Sequence, residues 1–270
     1  MENKAEELNK LHKVLFDLLC EFDRICKKHN IEYFLDSGTA LGAVRHGGFI
    51  PWDDDIDVGM IRSEYERFLK IAAKETSSDY FLLTKETDPA YLKYHAKLVK
   101  KGTIFPEPGT DGYKHRGIFI DIFPFDKVSD NLSKRRNDFK WNQYYFRLFR
   151  LKKIKFSTVK KTKLILWILL KFVPLTFLEK RQQKLWTNYN NTNASYLTCY
   201  LYQMVINRDI VFPTTTISPS TTINFNGKEF LIMSNYDNYL RIMYKNYMKL
   251  PPENKRQSHL IDNIIFDCNQ

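Results

Sequence analysis

The chain has 270 residues, 43% of them hydrophobic, 27% charged and 15% aromatic, which is enough to bury a sizeable core as one large domain or a domain with a subdomain. Its four cysteines, Cys20, Cys26, Cys199 and Cys268, show no C-x-x-C spacing, and the start, Met1 to Glu7, is charged and polar, so the reading is a soluble enzyme with reduced thiols and no signal peptide. The net charge of +11 is uneven: 16 Lys and Arg stand against two acids between Lys134 and Lys184, and the remainder of the chain carries −3.

In chain order, Leu8, Leu11, Val14, Leu15, Leu18, Leu19, Phe22, Ile25 and Cys26 recur at three-and-four spacing and predict an amphipathic helix ending near Asn30. Short strands follow at 31–35, 55–60, 80–84, 94–100 and 117–123, with a helix at 62–75 and a short one from Ala40 to His46. After Pro124 the pattern changes to helices over 131–150, 162–172 and 175–190, an irregular stretch from Pro213 to Thr222, and a helix at 235–248. The fold class is α+β: a mixed-sheet catalytic core over 1–128, followed by a mainly helical region over 129–270 that completes the domain.

The segment Pro51-Trp52-Asp53-Asp54-Asp55-Ile56-Asp57-Val58 places four carboxylates in five positions. Like charges at that density repel, and holding them together asks for a cation. A solvated acidic turn is the plainer alternative, but the apolar lead-in Phe49-Ile50-Pro51-Trp52 delivers the acids from an ordered segment. A calcium loop fails because Val58 stands where that loop needs glycine. The strand period of two puts Asp55 and Asp57 on one side, as ligands for Mg2+ or Mn2+, with Asp53 beside them. In Gly117-Ile118-Phe119-Ile120-Asp121-Ile122-Phe123-Pro124 a single acid interrupts an apolar run, so Asp121 is either a third ligand or a residue facing solvent at the Pro124 turn. The Ser37-Gly38-Thr39 turn precedes the short helix and is read equally as a phosphate cradle or an ordinary cap. Arg45, His46, Lys97 and Arg116 are cations near these motifs, and Lys97 is preferred for neutralising a diphosphate because Ala96 and Leu98 flank it in a strand. Trp52 adjoins the acids and is the aromatic residue best placed to meet a quaternary ammonium, or simply to pack.

The run from Tyr33 to Asp57, with His95-Ala96-Lys97-Leu98, the Asp121 strand and the tail Leu250-Pro251-Pro252-Glu253-Asn254-Lys255-Arg256…His259, resembles the LicD family of phosphocholine transferases, relatives of fukutin and fukutin-related protein. The resemblance covers residues 8–125 and 205–260 and departs at Ala40, where the family more often carries Leu. It implies a nucleotidyltransferase-like fold, Gly38 in a phosphate-side turn, and Asp55, Asp57 and Asp121 as metal carboxylates. It further implies transfer of phosphocholine from CDP-choline to a sugar hydroxyl of a lipid-linked teichoic acid or other cell-surface glycan precursor. Alternatives are transfer of ribitol or glycerol phosphate, nucleotidyl transfer to a small molecule or RNA, and a non-catalytic membrane-surface protein.

Within the basic segment 134–184, the apolar run Leu164 to Leu170 is too short to cross a bilayer. Basic residues around a Trp-bearing apolar stretch suit a helix lying on an anionic membrane surface, which would place the enzyme peripherally at the inner face of the cell membrane. A buried helix with a solvated basic face is the alternative, and no nucleic-acid partner is expected because no such motif accompanies the charge.

Overall fold

The computed structural model describes residues 2–110, 112–153, 161–205, 208–256 and 263–267. Cys268, His259, Lys160 and the 154–160 part of the basic segment lie outside the described residues. Helix α1 spans Glu2–Lys28, and its stripe Leu8, Leu11, Leu15, Leu18, Leu19, Phe22, Ile25 and Cys26 is buried throughout. Each fully buried side chain of this size is worth about 1.5–3 kcal/mol, so α1 is held by its apolar face. Its last turn closes through Ile31 N–H to Cys26 O at 2.9 Å, with Asn30 in the left-handed region at φ 50°.

The chain divides into two compact units, residues 1–124 with 215–270, and residues 125–214. In the first, β1 (Phe34–Leu35), α2 (Ser37–His46), β2 (Asp57–Ile61), α3 (Arg62–Glu75), β3 (Tyr80–Leu83), β4 (Ala96–Lys100) and the start of β5 (Phe119–Val128) follow in order. The strands lie side by side as β1-β2-β5-β4-β3. β1 runs antiparallel to β2, with Leu35 opposite Val58, and β4 antiparallel to β5, with Lys97 opposite Asp121. Along β5, Ile120 and Ile122 are buried on one face while Phe119, Asp121 and Phe123 alternate onto the other.

In the second unit, α4 (Leu132–Lys153), α5 (Leu164–Lys171), α6 (Leu175–Thr187), β6 (Tyr196–Thr198), α7 (Tyr202–Val205) and β7 (Phe212–Pro213) follow. β6 pairs with the far half of β5 and with β7. Asn142 of α4 is fully buried there and bonds Tyr200 O, Gln203, Gln182 and Trp186, so that polar core position is satisfied from all sides. The chain then returns to the first unit with α8 (Thr214–Ile217), β8 (Ser220–Phe225), β9 (Lys228–Met233) and α9 (Tyr236–Tyr244).

The α+β class stands, and four expectations change in detail. The strand carrying the acids begins at Asp57, so Asp55 precedes it and strand alternation does not place Asp55. β5 continues through Pro124 to Val128, and Asp121 is interior to the strand. The stretch expected to be irregular gives way at Ser220 to the β8–β9 hairpin. Its turn is Asn226-Gly227, with φ 51° and 84°, the residue pair that a two-residue hairpin loop favours. Residues 215–270 group with the N-terminal unit, whereas the sequence reading took 129–270 together as a mainly helical region completing the domain.

Candidate active site

α2 starts where Asp36 leaves β1. Asp36 is extended (φ −117°, ψ 165°) and its side chain accepts from Ser37 N–H at 2.8 Å, a carboxylate cap at the positive end of the helix. The Tyr239 hydroxyl, from α9, donates to the same Asp36 oxygen and accepts from Ser37 N–H at 3.2 Å. Asp36 N–H donates to Asp57 O at 2.9 Å, and Asp57 N–H donates to Thr39 Oγ1 at 2.9 Å. Ser37, Gly38 and Thr39 therefore form the first turn of α2 itself, bound edge to edge with the start of β2. At its other end α2 stops on Gly47, left-handed at φ 68°, whose N–H returns to Ala43 O.

The acids gather against this helix start. A Cβ added to Gly38 would stand 2.8 Å from Asp53 Oδ2, so glycine is what admits that carboxylate. The acidic segment is fixed from α1, where His12 Nε2 lies 2.7 Å from Asp53 O and the imidazole stacks on Phe49 at 4.0 Å. Asp121 N–H donates to Ile56 O at 2.9 Å, tying β5 to the segment between Asp55 and Asp57. Burial, and after it the carboxylates of Asp55, Asp121, Asp36 and Asp53, push Asp57 well above the usual carboxylate range. Asp53 is pushed up to about 8 by burial and then by Asp55 and Asp54. A group of acids that raise one another's proton affinity stabilises a cation or takes up protons.

Asp121 is treated differently by its surroundings. Burial pushes it up, but Lys97, then His95 and Lys93, outweigh burial and hold it below the usual range. His95 Nε2 lies 2.8 Å from Asp121 Oδ1, and Lys97 Nζ lies 3.6 Å from the same oxygen. Lys97 is only 1% exposed. Its ammonium bonds Glu107 Oε2 at 2.8 Å and sits 3.0 Å from the centroid of the Phe119 ring. Lys93 bonds the other Glu107 oxygen at 2.8 Å, so one carboxylate bridges two ammonium groups. Burial lowers Lys97 to about 8 against the opposing pull of Asp121. A cavity of about 160 Å³ opens here, lined by Leu15, Asp54, Asp55, Phe105, Glu107, Phe119 and Asp121 among others.

Of the residues singled out in the sequence, Ser37, Gly38, Thr39, Asp53, Asp57 and Asp121 are linked by these bonds and charges, and Asp55 joins Asp121 in the cavity wall. Trp52 lies to one side, its ring covered by the Arg256 guanidinium at 5.2 Å and met edge-on by His46 at 6.3 Å. Arg45 donates to Tyr247 O at 2.8 Å. Among the described residues no three His, Cys, Asp or Glu side chains form a ready-made metal cage. The donors are nonetheless all carboxylate oxygens, and their mutual repulsion is of the kind a divalent ion relieves, so the residues present fit a hard divalent cation. Asp36, His95, Glu107 and Tyr239 were given no role from sequence. Glu107 sits in a loop without periodicity, and Tyr239 lies 203 residues from its partner Asp36; His95 carried only its place beside Lys97 as a signal.

The fold is nucleotidyltransferase-like, a mixed sheet with helices, and its class is that of a phosphotransferase. A family model described as LicD/FKTN/FKRP, nucleotidyltransferase domain, matches residues 30–163. The lipopolysaccharide cholinephosphotransferase LicD of Haemophilus influenzae is 32% identical over 273 aligned residues, covering 96% of this chain and 97% of that protein. The chain belongs to the LicD family. Ribitol 5-phosphate transferase FKRP of Homo sapiens is 38% identical over 48 residues, 18% of this chain and 10% of that protein. An uncharacterized protein of Rickettsia typhi is 29% identical over 182 residues, 56% of this chain and 55% of its own length.

Proposed function

We propose that this chain transfers phosphocholine from CDP-choline to a sugar hydroxyl of a cell-surface glycan precursor, such as a lipid-linked teichoic acid unit, and releases CMP. The near full-length likeness to a cholinephosphotransferase carries this reading, and the mutually repelling acids around Asp57 support it. Asp55, Asp57 and Asp121 would hold Mg2+ or Mn2+, with Asp53 beside them; the ion would neutralise the donor diphosphate. Asp121 is kept ionised by Lys97 and His95, so it receives cationic or hydrogen-bonding groups and orients the acceptor hydroxyl. Lys97 serves the donor at one remove, by holding Asp121. The first turn of α2, Ser37 to Thr39, faces the phosphate side, and Arg45 and Trp52 flank the acids. The acceptor oxygen attacks the phosphorus that carries the alcohol, in line with the departing nucleotide.

Transfer of ribitol phosphate is the second reading, supported by the short FKRP match. Incubation with CDP-choline, CDP-ribitol and CDP-glycerol, Mg2+ and a glycan acceptor tests both. CMP release with CDP-choline alone upholds the first, CMP release with another donor shifts the assignment to that alcohol, and pyrophosphate release would replace both with nucleotidyl transfer.

The enzyme would work at an anionic membrane surface. α5 leaves Ile165 75% and Leu169 58% exposed, with Phe172 81% exposed just after it, in the most basic part of the chain. Among the described residues no helix is long and apolar enough to cross a membrane, so contact would be with the surface.

A further inference from the structure

The C-terminal segment brings a second guanidinium to the rim of the acidic site. After the short turn Glu253–Lys255, Arg256 lays its side chain over Trp52, the residue that leads directly into Asp53. Its Nε donates to Pro251 O at 2.9 Å. Its carboxylate partner among the described residues, Glu253, stands 3.9 Å away with its side chain 91% exposed, and so compensates little. Arg45, in the last turn of α2, is anchored in the same fashion: one N–H to Tyr247 O at 2.8 Å and Nε to His46 Nε2 at 3.0 Å. The two guanidiniums meet the same pair of rings, Arg45 through His46, which stands edge-on to Trp52 at 6.3 Å, and Arg256 through Trp52 itself at 5.2 Å; burial and then Arg256 disfavour the charge on Arg45, while Tyr244 and Asp53 favour it. Two like charges are thus positioned by carbonyl oxygens and an aromatic face, without a bidentate carboxylate. That arrangement leaves N–H groups for an external anion, and guanidinium suits phosphate oxygens.

We infer that Arg45 and Arg256, with Trp52 as the platform beneath Arg256, form an anion subsite for the phosphate that leaves with the nucleoside. This rests on the donor reading above and adds the C-terminal segment to the substrate-binding machinery. As the acceptor oxygen bonds to the phosphorus bearing the alcohol, the bridging P–O bond breaks and its electron pair stays on the nucleoside monophosphate, while the hydroxyl proton passes to solvent. Charge grows on that leaving phosphate, and the acids that follow Trp52 in the chain would repel it. The arginine pair supplies the opposite sign where it is needed.

The test uses the full chain with Mg2+ and two probes, CMP and inorganic pyrophosphate, whose affinities are measured by calorimetry, together with steady-state constants for donor and acceptor. Arg256→Ala and Arg45→Ala should each weaken CMP binding and raise the donor KM about tenfold or more, with the acceptor KM unmoved. Arg256→Lys should recover part of the loss, because a point charge cannot lie flat on Trp52. Thermal melting identifies any variant that fails to fold, and Arg256→Gln, which retains a donor for Pro251 O, then replaces it. Unchanged CMP affinity and donor KM in a folded variant would overturn the subsite, and so would a rise confined to the acceptor KM. If the wild-type protein binds no CMP, the donor reading fails by itself. Pyrophosphate then decides the arginine pair: weaker binding in the variants upholds the subsite, and equal binding removes it.

Discussion

Asp57 and Asp121 lie on neighbouring strands, yet their surroundings move their proton affinities in opposite directions. Replacing Asp55, Asp57 or Asp121 by Asn should abolish transfer in each case. In metal-free protein Asp57→Asn should melt at the same temperature or higher, since repulsion is relieved. Asp121→Asn should melt lower, with a stability loss of about 3 kcal/mol, because Lys97 and His95 lose the charge they face. Normal turnover by any of the three variants would remove that residue from the mechanism. The pH response follows from Asp53. Its folded value of about 8 lies above the unfolded carboxylate range, so its contribution to stability is complete below about pH 4 and is lost as pH rises through about 8. Metal-free wild-type protein should therefore lose melting temperature across that interval more steeply than Asp53→Asn, and added Mg2+ should flatten the difference. Identical profiles would show that Asp53 does not hold its proton. Gly38→Ala separates site from scaffold: the change favours helix by up to about 1 kcal/mol, but its Cβ meets only the tip of Asp53. Melting should hold or rise while turnover falls.

At the level of elements, the β8–β9 turn seals the far end of α2. Asn226 N–H donates to Gly47 O at 2.8 Å, and a Cβ on Gly48 would overlap Asn226 Oδ1 at 1.7 Å. Gly48→Ala should cost about 1–3 kcal/mol in chemical denaturation. Asn226→Gly in the same chain should return part of it, since the left-handed turn position accepts glycine; no recovery would place the clash with the backbone. These contacts also show what was legible in the sequence. α1 followed from its periodic apolar residues, and the acids of the β2 and β5 segments from carboxylates set in apolar surroundings. The two-residue β1 was too short to bound, and its strand character comes from pairing with β2. The β8–β9 hairpin was not read from the sequence, because the Thr- and Pro-rich residues from Pro213 to Thr222 masked the alternation of β8. Tyr239 depends on a partner 203 residues away, and Glu107 sits in a loop with no local pattern to reveal it.

For the molecule as a whole, the charge distribution is functional information. The basic stretch contains an eight-residue helix whose apolar side chains point largely to solvent, an arrangement that costs solubility unless something covers it. The protein should co-sediment with anionic vesicles, fail to do so with zwitterionic ones, and detach as salt is added. Lys161→Glu with Lys163→Glu should weaken vesicle binding and transfer to a lipid-linked acceptor, and spare transfer to a soluble acceptor fragment. Equal loss on both acceptors would assign the stretch to folding instead.

The bond from Tyr239 to Asp36 has a consequence for biosynthesis. Asp36 caps the helix that carries Ser37 to Thr39, and its second donor is made 203 residues later. A ribosome that has released everything through β5 has already exported all the acids, yet the helix start beside them still lacks its clasp. Contacts of such sequence separation form late and slowly. The nascent polypeptide thus lacks this clasp at the start of α2 until α9 has been made.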